Sequence, residues 1–546
     1  MRGWRPSSAP CRRSVASVLL LLVSLHGLLC CLQLQPAAAT EATDADDEDD
    51  VETFDAGSSL FLPVTAPVVP EGAEERREHY AAMAAKDRLR HRQLTSPRRR
   101  RAQESPAAAA AAASKQPELM ADGGGASMFE LPMRSAIHIA RVGMYFVSVR
   151  FGTPALPYNL VLDSATDLTW INCRLRRRKG KHYGRSVNPP ATVSTMAFDG
   201  ESAPVRVPKN WYRPALSSSW RRIRCSQKDC AVLPYNQCTS PTRNTSCSYF
   251  FVSQDGTTTS GIYGKEKATV ALSGGRMVKL PGLILGCSTF EAGGSVDAHD
   301  GVLGLGNSDI SFGIHAAKRF GARFSFCLLG ASSGEDASSY LTFGTNAAVH
   351  APGTAETRLL YNNDIFCAYG LHVTGITVGG EPLAVPPEVW DPTVNGGGVI
   401  LDTGTSVTGL VAPAYAAVTA ALHRHLAHLR RYEIAGFDYC YDWAFAGDGV
   451  DPANNVTIPQ VALELEGGAR LEPDAKSVIM PEVAPGVACL AFRRLETGPG
   501  VLGNVIMQEH IWEFDHYDEK LRFRKDKCVK NAPPATNTTS SSNGAA

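Results

Sequence analysis

The feature that most constrains this chain is a gap-free internal repeat. Leu160-Val161-Leu162-Asp163-Ser164-Ala165-Thr166-Asp167-Leu168-Thr169 aligns on Val399-Ile400-Leu401-Asp402-Thr403-Gly404-Thr405-Ser406-Val407-Thr408. Each copy is a short apolar run, which reads as a buried strand, followed by an Asp, a hydroxyl residue, a tiny residue and a second hydroxyl residue. Each copy is followed by a second matching element, Gly301-Val302-Leu303-Gly304 in the first half and Gly500-Val501-Leu502-Gly503 in the second. An isolated Asp-Thr-Gly arises easily by chance, but two ordered pairs imply duplication. The expected architecture is two related lobes that bring Asp163 and Asp402 to a shared axis.

Local texture supports a mainly β body. Tyr145, Val147, Val149 and Phe151 alternate with Ser148 and Arg150, a half-buried strand that runs into the turn Gly152-Thr153-Pro154. Apolar runs separated by Gly, Pro, Asn and Ser recur to the end of the 546 residues. One helix is expected after Pro413, where Tyr415, Val418, Leu422 and Leu426 fall at helical spacing.

Those residue types suit one chemistry. Two carboxylates facing across a dyad cannot both ionise cheaply, so the pair holds one proton through the acidic range. The ionised member takes a proton from water, and the protonated member donates to a carbonyl. Backbone amides after each Asp, with the hydroxyls of Ser164, Thr166, Thr403 and Thr405, can hydrogen-bond the charged form and keep the two groups coplanar.

Other functions are disfavoured by charge and composition. Lys+Arg and Asp+Glu number 54 each, so no excess of positive charge exists to neutralise nucleic-acid phosphates. The basic run Arg174, Arg176, Arg177, Arg178, Lys179 and Lys181 reads as a solvated loop. His423, His425 and His428 lack the spacing and partners of a metal site, and no cofactor is expected. After residue 40 no apolar run is long enough to span a bilayer, so no stable membrane insertion is expected.

The N-terminus reads as a targeting segment. Arg2, Arg5, Arg12 and Arg13 precede the apolar run Val15–Leu32, and Ala37-Ala38-Ala39 supplies small residues for cleavage. Residues 1–39 are therefore read as a signal peptide, with an uncleaved anchor as the alternative. Three of 14 cysteines lie in that presequence, leaving eleven. Without Cys-x-x-Cys spacing these read as disulfides in an oxidising compartment, with an odd thiol left over. Sequons at Asn244, Asn455 and Asn537 fit the secretory pathway, ending outside the cell, in the apoplast or in the vacuole. Residues 40–125 carry an acidic block (Asp44–Glu52), the basic block Arg98–Arg101, an alanine run and a glycine run. Such a segment is either a solvated linker or a propeptide whose Arg-rich part blocks an acidic site. Residues 529–546 read as a disordered tail.

The chain resembles the plant nepenthesin-like group of pepsin-like aspartic proteases over roughly residues 143–528. The resemblance rests on Tyr145 through Pro154, Asp163 through Trp170 with Cys173, the cysteine-rich stretch Cys225–Cys247, and Asp300 through Gly306. It continues through Phe324–Leu328, Ile400–Ser406, Cys489–Phe492 and Val501–Gln508. It implies a bilobal fold, with lobes at about 143–344 and 356–528, and a cleft between them. It also implies a monomeric secreted endopeptidase acting on peptide or protein substrates through Asp163 and Asp402, and a Cys440–Cys489 pair in the second lobe.

Three departures stand out. The family has glycine where this chain has Ala165, a residue that resists a left-handed backbone. The flap tyrosine that meets the tryptophan corresponding to Trp170 falls at Ser253, ahead of Gln254 and Asp255. The cysteines that closely follow Cys173 are replaced by the basic run, which would account for the odd cysteine. The alternative implied by the resemblance is a catalytically silent pepsin-fold binding or inhibitor protein. Retention of both aspartates favours the enzyme.

Overall fold

The computed structural model describes residues 73–94, 129–135, 143–175, 210–238, 245–252, 258–272, 276–292, 299–330, 339–361, 368–392, 397–443, 450–451 and 456–528. All of them fall within one unit of the fold, residues 54–546. Among them no helix is long and apolar enough to cross a membrane.

The repeat in the sequence is a repeat in topology. Strand Leu156–Asp163 runs parallel to Gly301–Gly304, with Val161 opposite Val302 and Asp163 opposite Gly304, while Trp170–Asn172 lies antiparallel on the other side. In the second half Val399–Leu401 runs parallel to Gly500–Leu502, with Ile400 opposite Val501, and Thr408–Val411 takes the antiparallel side. In each half the Asp leaves the end of one strand and the chain turns back past a glycine. That glycine is forced by close approach. A Cβ at Gly304 would lie 2.6 Å from the carbonyl oxygen of Asp167, and one at Gly503 would lie 2.4 Å from that of Ser406.

Apolar side chains that alternate along these strands build the core. Tyr145, Val147, Val149 and Phe151 are all buried, whereas Ser148 is half-buried and Arg150 exposed, the period-two pattern of a sheet packed on one face. The helix expected after Pro413 spans Ala412–Leu426 and buries Tyr415, Val418, Leu422 and Leu426.

The halves are joined by more than a linker. The C-terminal hairpin His510–Asp515 and Lys520–Lys525 pairs with Arg323–Cys327 of the first half, so one sheet runs from the first lobe into the second. Cys327 and Cys528 fasten that junction. That sheet also takes in Phe129–Ser135, which pairs with Ser339–Phe343 and Tyr145–Phe151, so the first lobe's sheet begins before residue 143.

Among the described residues five disulfides use ten cysteines: 173–287, 225–238, 230–247, 327–528 and 440–489. Cys173, which precedes the basic run, pairs with Cys287. The eleventh, Cys367, lies outside the described residues. The sulfurs of Cys225, Cys230 and Cys238 lie close together, but each already belongs to a disulfide and offers no thiolate to a metal.

Candidate active site

Asp163 and Asp402 end their strands side by side, and the bonds around them repeat across the pseudo-dyad. The Ala165 N–H donates to Asp163 Oδ1 at 3.0 Å and the Gly404 N–H to Asp402 Oδ1 at 2.9 Å. The Thr166 hydroxyl donates to Asp163 Oδ2 at 3.0 Å and the Thr405 hydroxyl to Asp402 Oδ2 at 2.5 Å. Ser164 and Thr403 cross the axis. The N–H of each donates to the hydroxyl of the other at 3.0 Å, and their hydroxyls donate to the carbonyls of Leu401 and Leu162. These bonds tie each aspartate turn to itself and to the turn of the other lobe, which fixes the separation of the two carboxylates. Two buried carboxylates held this way form an acid–base pair able to shuttle one proton.

The Ala165 departure is accommodated. Neither Ala165 nor Gly404 takes a left-handed backbone, so the strain expected from a Cβ at 165 is not incurred. Its methyl packs beside Ala368, Ile400, Leu495 and Val501. The two lobes are nonetheless unequal, because a Cβ at Gly404 would lie 2.4–2.5 Å from the guanidinium of Arg90.

That guanidinium is the feature sequence reading missed. Residues 73–94 form a 22-residue helix, and its Arg90 reaches both aspartates. Nε and Nη2 donate to Asp402 at 2.6 and 2.5 Å, while Nη1 and Nη2 donate to Asp163 at 3.1 and 2.9 Å. Both carboxylates therefore bond a single nitrogen, which keeps them within coupling range of each other. Arg98–Arg101, where the block was expected, lies outside the described residues. The helix is seated along one face. Tyr80, Met83 and Ala84 pack with Val407, Ile434, Phe437, Met480 and Val483, and the Tyr80 ring meets Phe437 edge-on at 6.3 Å. One turn further on, the Lys86 ammonium donates to the Gly404 carbonyl at 3.4 Å. The Asp87 carboxylate accepts from the N–H groups of Ser406 at 3.0 Å and Val407 at 2.7 Å. The signal was the spacing 80, 83, 84, 87, 90, 91, a helical stripe whose second half is charged.

Burial and charge set the titration of this cluster. Burial alone would raise the Asp163 carboxyl, but the Arg90 guanidinium outweighs it and holds Asp163 below its ordinary value. Burial, and then the nearby Arg493 charge, lower His91 to about 4. Burial raises Asp87, against the pull of Arg493, Lys86 and the two amides.

Trp170 is buried beside the dyad and lines a pocket with Lys86, Arg90, Asp163, Phe251 and His299. Ser253 and Asp255 lie outside the described residues, as do Asn244, Asn455 and Asn537. What the flap strand Ser248–Val252 does bring to the pocket is Phe251, buried, while Tyr249 turns to Thr259 and Phe250 faces solvent. Cys440 and Cys489 face each other across paired strands and are bonded.

Residues 145–345 match the family model described as xylanase inhibitor N-terminal, and residues 368–525 the one described as xylanase inhibitor C-terminal. The chain is 30% identical to aspartyl protease family protein 2 of Arabidopsis thaliana over 390 residues, 71% of each chain. It is 25% identical to aspartic proteinase nepenthesin-1 of Nepenthes gracilis, over 71% of this chain and 78% of the relative. The crystal structure of edgp superposes with a TM-score of 0.55 at 18% identity, covering 74% of this chain and 96% of that one. Basic 7S globulin from soybean gives 0.54 at 17%, covering 74% and 97%. These two share the fold. Taken with the doubled aspartate turns, the matches place the chain among the plant nepenthesin-like aspartic proteases, a family of aspartic-type hydrolases to which it belongs.

Proposed function

We propose that the mature chain is a secreted aspartic endopeptidase and that residues 40–125 are a propeptide whose helix holds it shut. Asp163 and Asp402 share one proton. The ionised member takes a proton from a water, the protonated member donates to the scissile carbonyl, and the roles reverse as the amine leaves. In the precursor Arg90 stands where that water and carbonyl must go. The observation that carries the reading is the symmetric bonding of the two carboxylates by both lobes, closed over by one guanidinium.

Acid favours turnover twice over. Above the upper pKa of the pair no proton remains for the carbonyl, and the helix seats a neutral His91 that acid would charge. Phe251 substitutes for the missing flap tyrosine by covering the pocket, but it offers no hydroxyl to Trp170. Closure is therefore weaker, and replacing Ser253 by Tyr with Gln254 by Gly raises turnover. The enzyme acts as a monomer in the apoplast, outside the cell or in the vacuole.

The test is a peptide-library digest by the processed protein across roughly pH 3–6, the range over which such a pair shares its proton. Pepstatin-sensitive cleavage that disappears in Asp402→Asn is expected. A folded protein inert throughout that range contradicts the reading and favours a binding protein.

A further inference from the structure

Departure of the helix exposes more than the dyad. It also removes Asp87 from two backbone donors, the N–H groups of Ser406 and Val407, each of which meets a different oxygen of that carboxylate. Beside them lies Arg493, on the strand Phe492–Leu495 opposite Gly409. Arg493 is 7% exposed, and none of its three guanidinium nitrogens has a hydrogen-bond partner among the described residues. Burial lowers it to about 10; Asp87 and Asp402 pull on its charge, and Arg88 and Arg90 oppose it. A buried guanidinium with no hydrogen bond is costly. Here its nearest compensation is a carboxylate that leaves with the helix. What remains is two amides and a cation, all short of an acceptor.

We propose that the mature cleft holds an anion-binding subsite, made by the amides of Ser406 and Val407 with Arg493, that selects a glutamate or aspartate side chain of the peptide substrate. Asp87 is its occupant in the precursor. This rests on the endopeptidase reading. The two amides match the two oxygens of a carboxylate, and their present ligand is one. Asp87 lies three residues before Arg90 on the helix, about 4.5 Å along the axis, or between one and two residues of an extended peptide at roughly 3.3 Å each. The subsite therefore reads a position within a few residues of the scissile bond. Charge-assisted bonds of this kind favour the ionised acid over its amide by about tenfold or more.

Two measurements test it with the processed protein. In the first, the best-cleaved library peptide is remade with Glu or Gln at each of the neighbouring positions. At pH 5.5 one position is expected to show kcat/KM about tenfold higher for Glu. The ratio falls toward one near pH 3 as the side chain protonates; titration of the dyad cancels in the ratio. Arg493→Gln lowers it at pH 5.5, leaving only what the two amides contribute, and Arg493→Glu favours Lys over Gln. A ratio near one at every position, or an unchanged ratio in Arg493→Gln, overturns the proposal.

The second needs no turnover. A synthetic peptide of residues 73–94 is titrated against the protein, with and without Asp87→Asn. The substitution is expected to weaken binding about tenfold to the wild-type protein and only about threefold to Arg493→Gln, where the two amides remain but the cation is gone. Equal weakening on both overturns the subsite. Coupling without any peptide cleavage sinks the protease reading and leaves the subsite standing; cleavage without coupling does the reverse.

Discussion

His91 makes the hold of the helix depend on pH, and the size of the effect follows from its burial. Next to Arg90 on the seated helix, His91 is 6% exposed. It falls from 6.5 to about 4, through burial first and the Arg493 charge second. Docking therefore favours the neutral ring. Its contribution is fully present above about pH 6.5 and is lost as pH falls through the docked value near 4. Between pH 7 and pH 5 that linkage weakens docking by about 2 kcal/mol, roughly thirtyfold in the equilibrium. Asp163, held low by Arg90, adds to release as pH falls below the value at which the freed pair takes up its proton. Asp87, raised by burial, acts in the opposite sense, favouring docking as pH falls toward its docked value. Fluorescence anisotropy of labelled 73–94 peptide on the processed protein measures the term directly. Relative to a His91→Gln peptide, the wild-type peptide should lose about thirty times more affinity between pH 7 and pH 5. Parallel loss by the two peptides would falsify this account of acid release.

Other consequences are as direct. Gly404→Ala puts a Cβ 2.4–2.5 Å from the Arg90 guanidinium, so affinity for the 73–94 peptide should fall at least about tenfold, near 1.4 kcal/mol; unchanged affinity would mean that Arg90 does not sit there. Phe251→Leu keeps most of the packing, costing under about 1.5 kcal/mol in thermal stability. It should lower kcat/KM several-fold if Phe251 covers the pocket. Replacing Cys440 and Cys489 together by Ser opens a 49-residue loop and should cost about 4 kcal/mol in unfolding free energy, read as a lower midpoint in denaturant.

What the sequence disclosed was whatever local pattern dictates. The duplicated strand-Asp turns announced both lobes, because each needs a buried strand, a carboxylate and a tight turn in fixed order. Ser164 and Thr403 were legible as supporting hydroxyls, although their cross-axis exchange is a tertiary fact. The helix was not legible as a docking element. Apolar stripes reveal amphipathic helices, and here the stripe begins with Tyr80, Met83 and Ala84 and then turns into Asp87, Arg90 and His91. Those charges are buried only because the cleft supplies opposite charge and free amides, which no local pattern records. Arg493 was hidden for the same reason. The C-terminal strands His510–Asp515 and Lys520–Lys525 read as part of the second lobe, yet they complete a sheet with residues 323–327, a pairing set by chain reversal across nearly two hundred residues.

The central claim is that one guanidinium holds a working aspartate pair shut. It is tested most directly by assaying the full-length chain before any processing, at pH 5, with a fluorogenic peptide. Arg90→Met removes all four bonds to the dyad, and breaking a buried charge pair of this kind costs about 3–5 kcal/mol. The wild-type precursor should be silent, the Arg90→Met precursor active, and the precursor silent again when Asp402→Asn is added to Arg90→Met. Equal activity of wild type and Arg90→Met, or activity that survives Asp402→Asn, would contradict it.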